Sequence, residues 1–278
     1  MTEQDLALIR VLYFGSFIGL FALFLQWETG AARLPFAEYV ARRRHVLRNL
    51  SMLFLVVLIA DVVVGEVVLN AYGFLYQPPL IWLNGMALPL PAQILIGLLA
   101  SDLLEFAMHF ASHRIGWMWR LHRVHHTDSH LDVTTAGRAH PVEVSLYVAG
   151  KVGLYALLGL PLWIEGLRSI LHNALLCVQH ANVVFPPAIE RIRWLLVTPA
   201  MHRLHHHPRR PFIDSNYGFI FSFWDRLFMT YRPPESVGTQ EYGLDGCHGE
   251  EWQTVSGMLR SPFEMPTAVG LSGSRADR

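Results

Sequence analysis

Residues 89–110 read PLPAQILIGLLASDLLEFAMHF, an apolar run of the length a helix needs to cross a bilayer. In lipid, such a run can satisfy its backbone hydrogen bonds internally only as a helix. The run is not purely apolar. Asp102, Glu105, His109 and His113 follow one another at spacings of 3, 4 and 4, which lays them along one helical face. The helix is expected to continue to Arg114 and stop at Gly116, so two imidazoles hang from its end and two carboxylates lie deeper. These carboxylates are expected either to orient the histidines from behind or to hydrogen-bond a neighbouring helix.

Further apolar runs fill much of the chain: 11–27, 50–70 with Asp61 and Glu66 inside it, 144–164 and 167–185. The whole chain is 52% hydrophobic and 16% charged. Soluble domains carry about 25% charge, so the deficit agrees with a membrane protein. Formal net charge is zero, which leaves no basic footprint for nucleic acid. The pattern predicts an all-α fold, a polytopic membrane helix bundle with a cytoplasmic helical cap. The first run is expected as a retained helix rather than a signal peptide, because MTEQDLALIR lacks a basic leader. Gly159, Pro161 and Gly166 break the last two runs into a hairpin, as two full spans or as a re-entrant pair. The loop at 33–48 holds Arg33, Arg42, Arg43, Arg44 and Arg48, whereas 71–88 has neither Lys nor Arg. The positive-inside rule then puts 33–48 in the cytoplasm and returns the 89–110 helix, with its histidines, to that side.

Three histidine sets follow from spacing: His109 and His113; His122, His125 and His126; His202, His205 and His206. HxxxH and HxxHH each project from one side of a helix. A catalytic zinc uses about three protein ligands, so eight imidazoles argue for two metals with open positions. Nitrogen-only ligation suits iron, copper or zinc and disfavours magnesium or calcium. His180, near the end of its apolar run, is a further candidate ligand. His140 and His172, with Asp102 and Glu105, are weaker candidates for ligation or for support behind the ligands. His45 and His248 fall outside the pattern and are expected to be solvated. No catalytic group beyond the metal ligands is singled out.

The motifs HFASH, LHRVHH and MHRLHH resemble the three histidine boxes of the fatty acid hydroxylase/sterol desaturase superfamily. RAHPVE at 138–143, QHANVVFP at 179–186, TPAMHRLHHH at 198–207, NYG at 216–218 and WDRLFMTY at 224–231 extend the resemblance over about residues 95–232. Met229 departs from it, since similar stretches carry glycine there, and this puts the local turn in question. The resemblance implies an integral-membrane, non-haem di-iron enzyme that uses O₂ to attack an unactivated C–H bond of a membrane lipid, by hydroxylation or desaturation. It implies two iron ions and a separate electron donor: a ferredoxin, cytochrome or reductase. It also implies His180 as a ligand from its QHAN context. The chain then divides into N-terminal membrane helices (1–88), a hydroxylase-like catalytic domain (89–232) and a polar tail (233–278). The residues themselves leave two other classes. A zinc hydrolase would need a glutamate base within a histidine motif, but the intervening residues are Phe, Ala, Ser, Arg, Val and Leu. A metal transporter would place its ligands near the bilayer midplane, not at the ends of the spans.

Overall fold

A computed structural model describes residues 11–59, 70, 88–237 and 240–264. Asp61, Glu66, most of the run at 60–70, the segment 71–87 and the last residues of the expected tail lie outside them. Among the described residues the chain is all-helical; the only β contacts are two isolated bridges, Ala32 with Val183 and Leu196 with Phe221. The helices are α1 (Ser16–Ala31), α2 (Tyr39–Leu58), α3 (Leu90–Arg114), α4 (Gly116–His126), α5 (Pro141–Leu158), α6 (Leu162–His180), α7 (Pro199–His205), α8 (Phe223–Leu227), α9 (Glu250–Gln253) and α10 (Val255–Glu264). Of these, α3 and α5 are long and apolar enough to cross a membrane.

Local chemistry sets the ends. Pro141 starts α5, and the His140 side chain caps it by accepting from Val142 N. Gly159 ends it at φ 67°, a left-handed position that glycine adopts freely. Thr198 caps α7, with Pro199 at its first turn. The pairs Ser101–Glu165 and Glu105–His172 ascend together, so α3 and α6 run parallel. Lys151 meets Glu105, and Glu143 meets His122 just beyond α3, so α5 runs antiparallel to α3. Gly97 lets α3 approach closely: a Cβ there would lie 2.9 Å from both Ile164 Cγ2 and Tyr155 Oη.

A charged clasp joins these three helices. Arg168 donates to both oxygens of Glu105 (3.1 and 3.0 Å) and to both of Glu165 (2.8 and 2.7 Å). Lys151 Nζ lies 3.1 Å from Glu105 and 3.2 Å from Glu165, and His172 Nδ1 lies 3.2 Å from Glu105. All five residues are buried, and the two carboxylates balance the two cations. Unpaired charge is too costly to persist in a membrane, so such groups survive by pairing.

The C-terminal segment differs from a polar tail. Residues 240–264 fold back over α4, burying Leu244, Cys247 and Met258 against Trp119, Val124 and Met52. Arg123 donates to Ser261 O at 2.7 Å, and Gln253 donates to Thr127 O at 3.0 Å. Val255, Met258, Leu259 and Pro262 recur at i, i+3, i+4 and i+7 on α10, a short amphipathic face that the polar composition of the segment obscures.

His45 also differs from the expectation of a solvated side chain. It sits 3.5 Å from Asp128 and 3.3 Å from Asp132, with its side chain 12% exposed. Burial opposes its protonation, but the carboxylates of Asp128 and Asp132 outweigh burial and raise its pKa. A raised histidine pKa contributes stability that is complete below the unfolded value near pH 6.5 and is lost as pH climbs through the folded value. The stability difference between wild type and His45→Gln is therefore expected to be largest below about pH 6.5 and to shrink above it. Urea melts across that range check this; a difference that grows with pH would contradict the pairing.

The WDRLFMTY turn persists without its glycine. Met229 takes φ 59° and is 92% exposed, while Thr230 N and Tyr231 N both donate to Asp225 O. A side chain at positive φ costs roughly 1 kcal/mol more than glycine. Met229→Gly is thus expected to stabilise the protein by about 1 kcal/mol, read as a raised Tm. An unchanged or lowered Tm would show that the methionine makes a compensating contact.

Candidate metal centre

Nine histidines converge in two adjoining buried pockets. His109, His113, His122, His126 and His205 form the first; His125, His180, His202 and His206 form the second, with ligand-capable atoms in each group within 4.8 Å of one another. Each HxxHH set is split. On α4 the i, i+4 pair His122 and His126 enters the first pocket and His125 the second. At α7 the pair His202 and His206 enters the second pocket and His205 the first. The pockets abut: the ring centroids of His126 and His206 are 4.6 Å apart, and those of His125 and His126 are 5.6 Å apart.

The rings are oriented from behind, mostly by backbone. His109 Nδ1 donates to Tyr217 O (2.8 Å), His205 Nδ1 to Ser215 O (2.7 Å), His180 Nδ1 to Leu176 O (2.9 Å) and His125 Nδ1 to Arg138 O (3.3 Å). His122 Nδ1 donates to the Glu143 carboxylate at 2.6 Å. Carbonyls and carboxylates only accept, so each of these five imidazoles carries a proton on Nδ1 and, in the neutral form that ligates metal, presents a bare Nε2 inward. The bare nitrogens then face each other: His109 Nε2 and His122 Nε2 at 3.1 Å, His125 Nε2 and His180 Nε2 at 3.2 Å. Two lone pairs at that separation repel, with no proton to share. Burial comes on top. His205 Nε2 and His113 Nε2 are buried with no hydrogen-bond partner. A cation in each pocket removes both penalties, and a nitrogen-only donor set fits iron, copper or zinc.

Protonation does not compete with a metal near neutrality. Burial first, then neighbouring imidazoles, holds His125, His126, His202 and His206 well below the usual imidazole range. His205 is pushed down to about 3, chiefly by burial. Neutral imidazole is the ligating form.

The second-rank candidates lie elsewhere. His140 caps α5, and His172 faces Glu105 and stacks near Phe219, ring centroids 5.5 Å apart. Neither Asp102 nor Glu105 hydrogen-bonds any of the nine histidines. Glu105 belongs to the charged clasp. Asp102 accepts from Ile220 N (2.9 Å), Phe221 N (3.0 Å) and Trp224 Nε1 (2.9 Å), tying the segment after Tyr217 to α3.

That segment explains two motifs that spacing alone left silent. Asn216 sits at φ 54° between Ser215 and Tyr217, whose carbonyls hold His205 and His109. Its side chain donates to Arg232 O and accepts from Arg232 N, which locks the turn. A Cβ on Gly218 would fall 2.7 Å from Phe221 O. Asp225 of the WDRL stretch accepts from Tyr217 N (2.7 Å) and Gly218 N (2.9 Å). Asn216, Gly218 and Asp225 thus fix the carbonyls that aim two histidines. Glu143, the other orienting residue, ends the RAHPVE motif at 138–143, where spacing alone gave it no role.

The fatty acid hydroxylase family model matches residues 94–230, the stretch that contains all nine histidines. The chain belongs to the fatty acid hydroxylase superfamily. Among its relatives in that superfamily, an ornithine lipid hydroxylase of Rhizobium tropici is 28% identical over 57% of this chain and 47% of its own length. An alkylglycerol monooxygenase of Caenorhabditis elegans is 28% identical over 62% of this chain and 34% of its own. A cholesterol 25-hydroxylase-like protein of Caenorhabditis briggsae is 27% identical over 54% and 56%. The chain therefore spans about a third to just over half of these hydroxylase-superfamily relatives. No solved structure matches it.

Proposed function

We propose that this protein is a membrane-bound di-iron oxygenase that hydroxylates an unactivated C–H bond of a membrane lipid. One observation carries the reading: two adjoining all-imidazole pockets in which bare Nε2 atoms face one another about 3 Å apart. His109, His113, His122, His126 and His205 would hold one iron, and His125, His180, His202 and His206 the other. Bound there, the iron pair supplies the activation of O₂. The net change converts R–H, O₂, two electrons and two protons into R–OH and water, the electrons coming from a separate ferredoxin, cytochrome or reductase.

The chain's own residues do the rest. Ser215, Tyr217, Leu176, Arg138 and Glu143 fix ring tautomers, so the pockets are organised before metal arrives. Burial keeps His125, His126, His202, His205 and His206 neutral and keeps bulk water away. The pockets lie at the C-terminal ends of α3 and α6, where a lipid could enter from the bilayer and where arginine placement assigns the cytoplasmic face. Hydroxylation is preferred to desaturation because the relatives named above are hydroxylases and a monooxygenase.

Comparative lipid mass spectrometry of a deletion strain and its parent, grown under ¹⁸O₂, tests the reading. The parent should contain a lipid class heavier by one ¹⁸O-labelled oxygen that the deletion strain lacks. A class differing only by a double bond would indicate desaturation. Unchanged lipids would oppose the proposal.

A further inference from the structure

Beside the first pocket, a crevice runs between α3, α4 and α5. Met108, Met118 and Leu121 wall it, and Ser112, Tyr147 and Glu143 are its polar members. Its empty space is about 190 Å³ counted to the mouth, but too narrow as it stands to admit a water. Two walls are methionines, whose unbranched, adaptable side chains let such a cleft widen around a chain. Tyr147 and Ser112 hydrogen-bond each other, so neither calls for a ligand.

Glu143 is different. It is 7% exposed, and its Oε1 accepts from His122 Nδ1 at 2.6 Å. Its Oε2 is buried with no hydrogen-bond partner. A buried carboxylate oxygen without a donor is costly, and more so than a neutral acceptor. His122 belongs to the first pocket, so this oxygen lies directly behind one of that pocket's ligands.

We propose that the crevice seats the lipid segment next to the reacting carbon, and that Glu143 Oε2 accepts a hydrogen bond from a hydroxyl or N–H group on that lipid. The proposal rests on the lipid-hydroxylase reading and names its substrate class: amphiphiles with a hydrogen-bond donor a few bonds from the oxidised carbon, in preference to plain acyl chains. One residue then serves both sides. Its first oxygen aims a metal ligand and its second registers the substrate against that ligand. A lipid without the donor leaves the oxygen unpaired, and sites built this way reject such analogues strongly.

Binding tests this without turnover. The full-length protein in nanodiscs, loaded with iron under anaerobic conditions, is titrated with 1-hexadecanol and with hexadecyl methyl ether by thermal shift. The hydroxyl probe is expected to bind at least about tenfold more tightly than the ether. Glu143→Gln keeps an acceptor for His122 but turns a donor toward the crevice, so the ratio should fall to near one in samples loaded to the same measured iron content as wild type. Equal affinity of the two probes for wild type, binding of neither, or an unchanged ratio in Glu143→Gln would overturn the proposal. Failure of the oxygenase reading is distinguishable: it would leave the binding preference intact with no O₂-dependent product.

Discussion

Replacing His205 by alanine is expected to lower iron content and to reduce O₂-dependent turnover by more than about 100-fold. Losses from residues behind a metal ligand are about 10–100-fold, and a ligand itself should exceed them. The argument rests on where His205 sits. Its Nδ1 is held by Ser215 O, its Nε2 is buried without a partner, and its ring centroid is 4.6 Å from that of His109 and 4.7 Å from that of His126. Truncation leaves the first pocket with four imidazoles and a void where the fifth entered. His122→Ala and His126→Ala should behave alike. The nearby His207 provides a control: its Nδ1 accepts from Arg209 N, its ring packs on Phe212, and it joins neither pocket. His207→Ala and the exposed His248→Ala should keep iron and turnover near wild type. Metal analysis and oxygen consumption measured together decide the matter. Full iron and turnover in His205→Ala would remove this histidine from the site.

Arg168→Ala is expected to destabilise the fold by about 3–5 kcal/mol, the usual consequence of removing one partner from a buried ion pair. Arg168 donates to Glu105 and Glu165 together, and its loss leaves two buried carboxylates sharing one cation, Lys151, with His172 and Ser101 as further partners. Three helices are joined there, so the damage spreads beyond a single contact. Unfolding in mixed micelles reads the effect directly. Arg168→Lys keeps the charge but not the fork that engages both carboxylates, so it should fall between alanine and wild type. A loss below about 1 kcal/mol in Arg168→Ala would mean that water or lipid headgroups already screen the cluster.

Much of the site was legible because histidine is rare and helical spacing is strict. HxxxH and HxxHH announced imidazoles on common helical faces, and the apolar run at 89–110 announced where they would hang. The pairing into pockets was not legible. In each HxxHH set the i, i+4 members share a pocket while the remaining histidine enters the other, and only the packing of α4 against α7 reveals which pocket each joins. Asp102 and Glu105 share a face with His109 and His113, and two roles were open to them: support behind the histidines, or a hydrogen bond to a neighbouring helix. Their partners proved to come from distant segments, the 220–224 backbone for one and α6 for the other. Supports made by backbone carbonyls, at Ser215 and Tyr217, carry no side-chain signature at all. What marked them was the neighbouring Asn216 and Gly218, residues chosen for backbone geometry. His45 was misread for a related reason: its carboxylate partners, Asp128 and Asp132, are remote in sequence.

Anaerobic titration of the purified protein with Fe(II), followed by iron K-edge X-ray absorption at saturation, tests the central claim most directly. Two histidine pockets predict saturation at about two irons per chain, with a first shell dominated by imidazole nitrogen. Saturation at one iron, or a sulfur shell from Cys177 or Cys247, would contradict it.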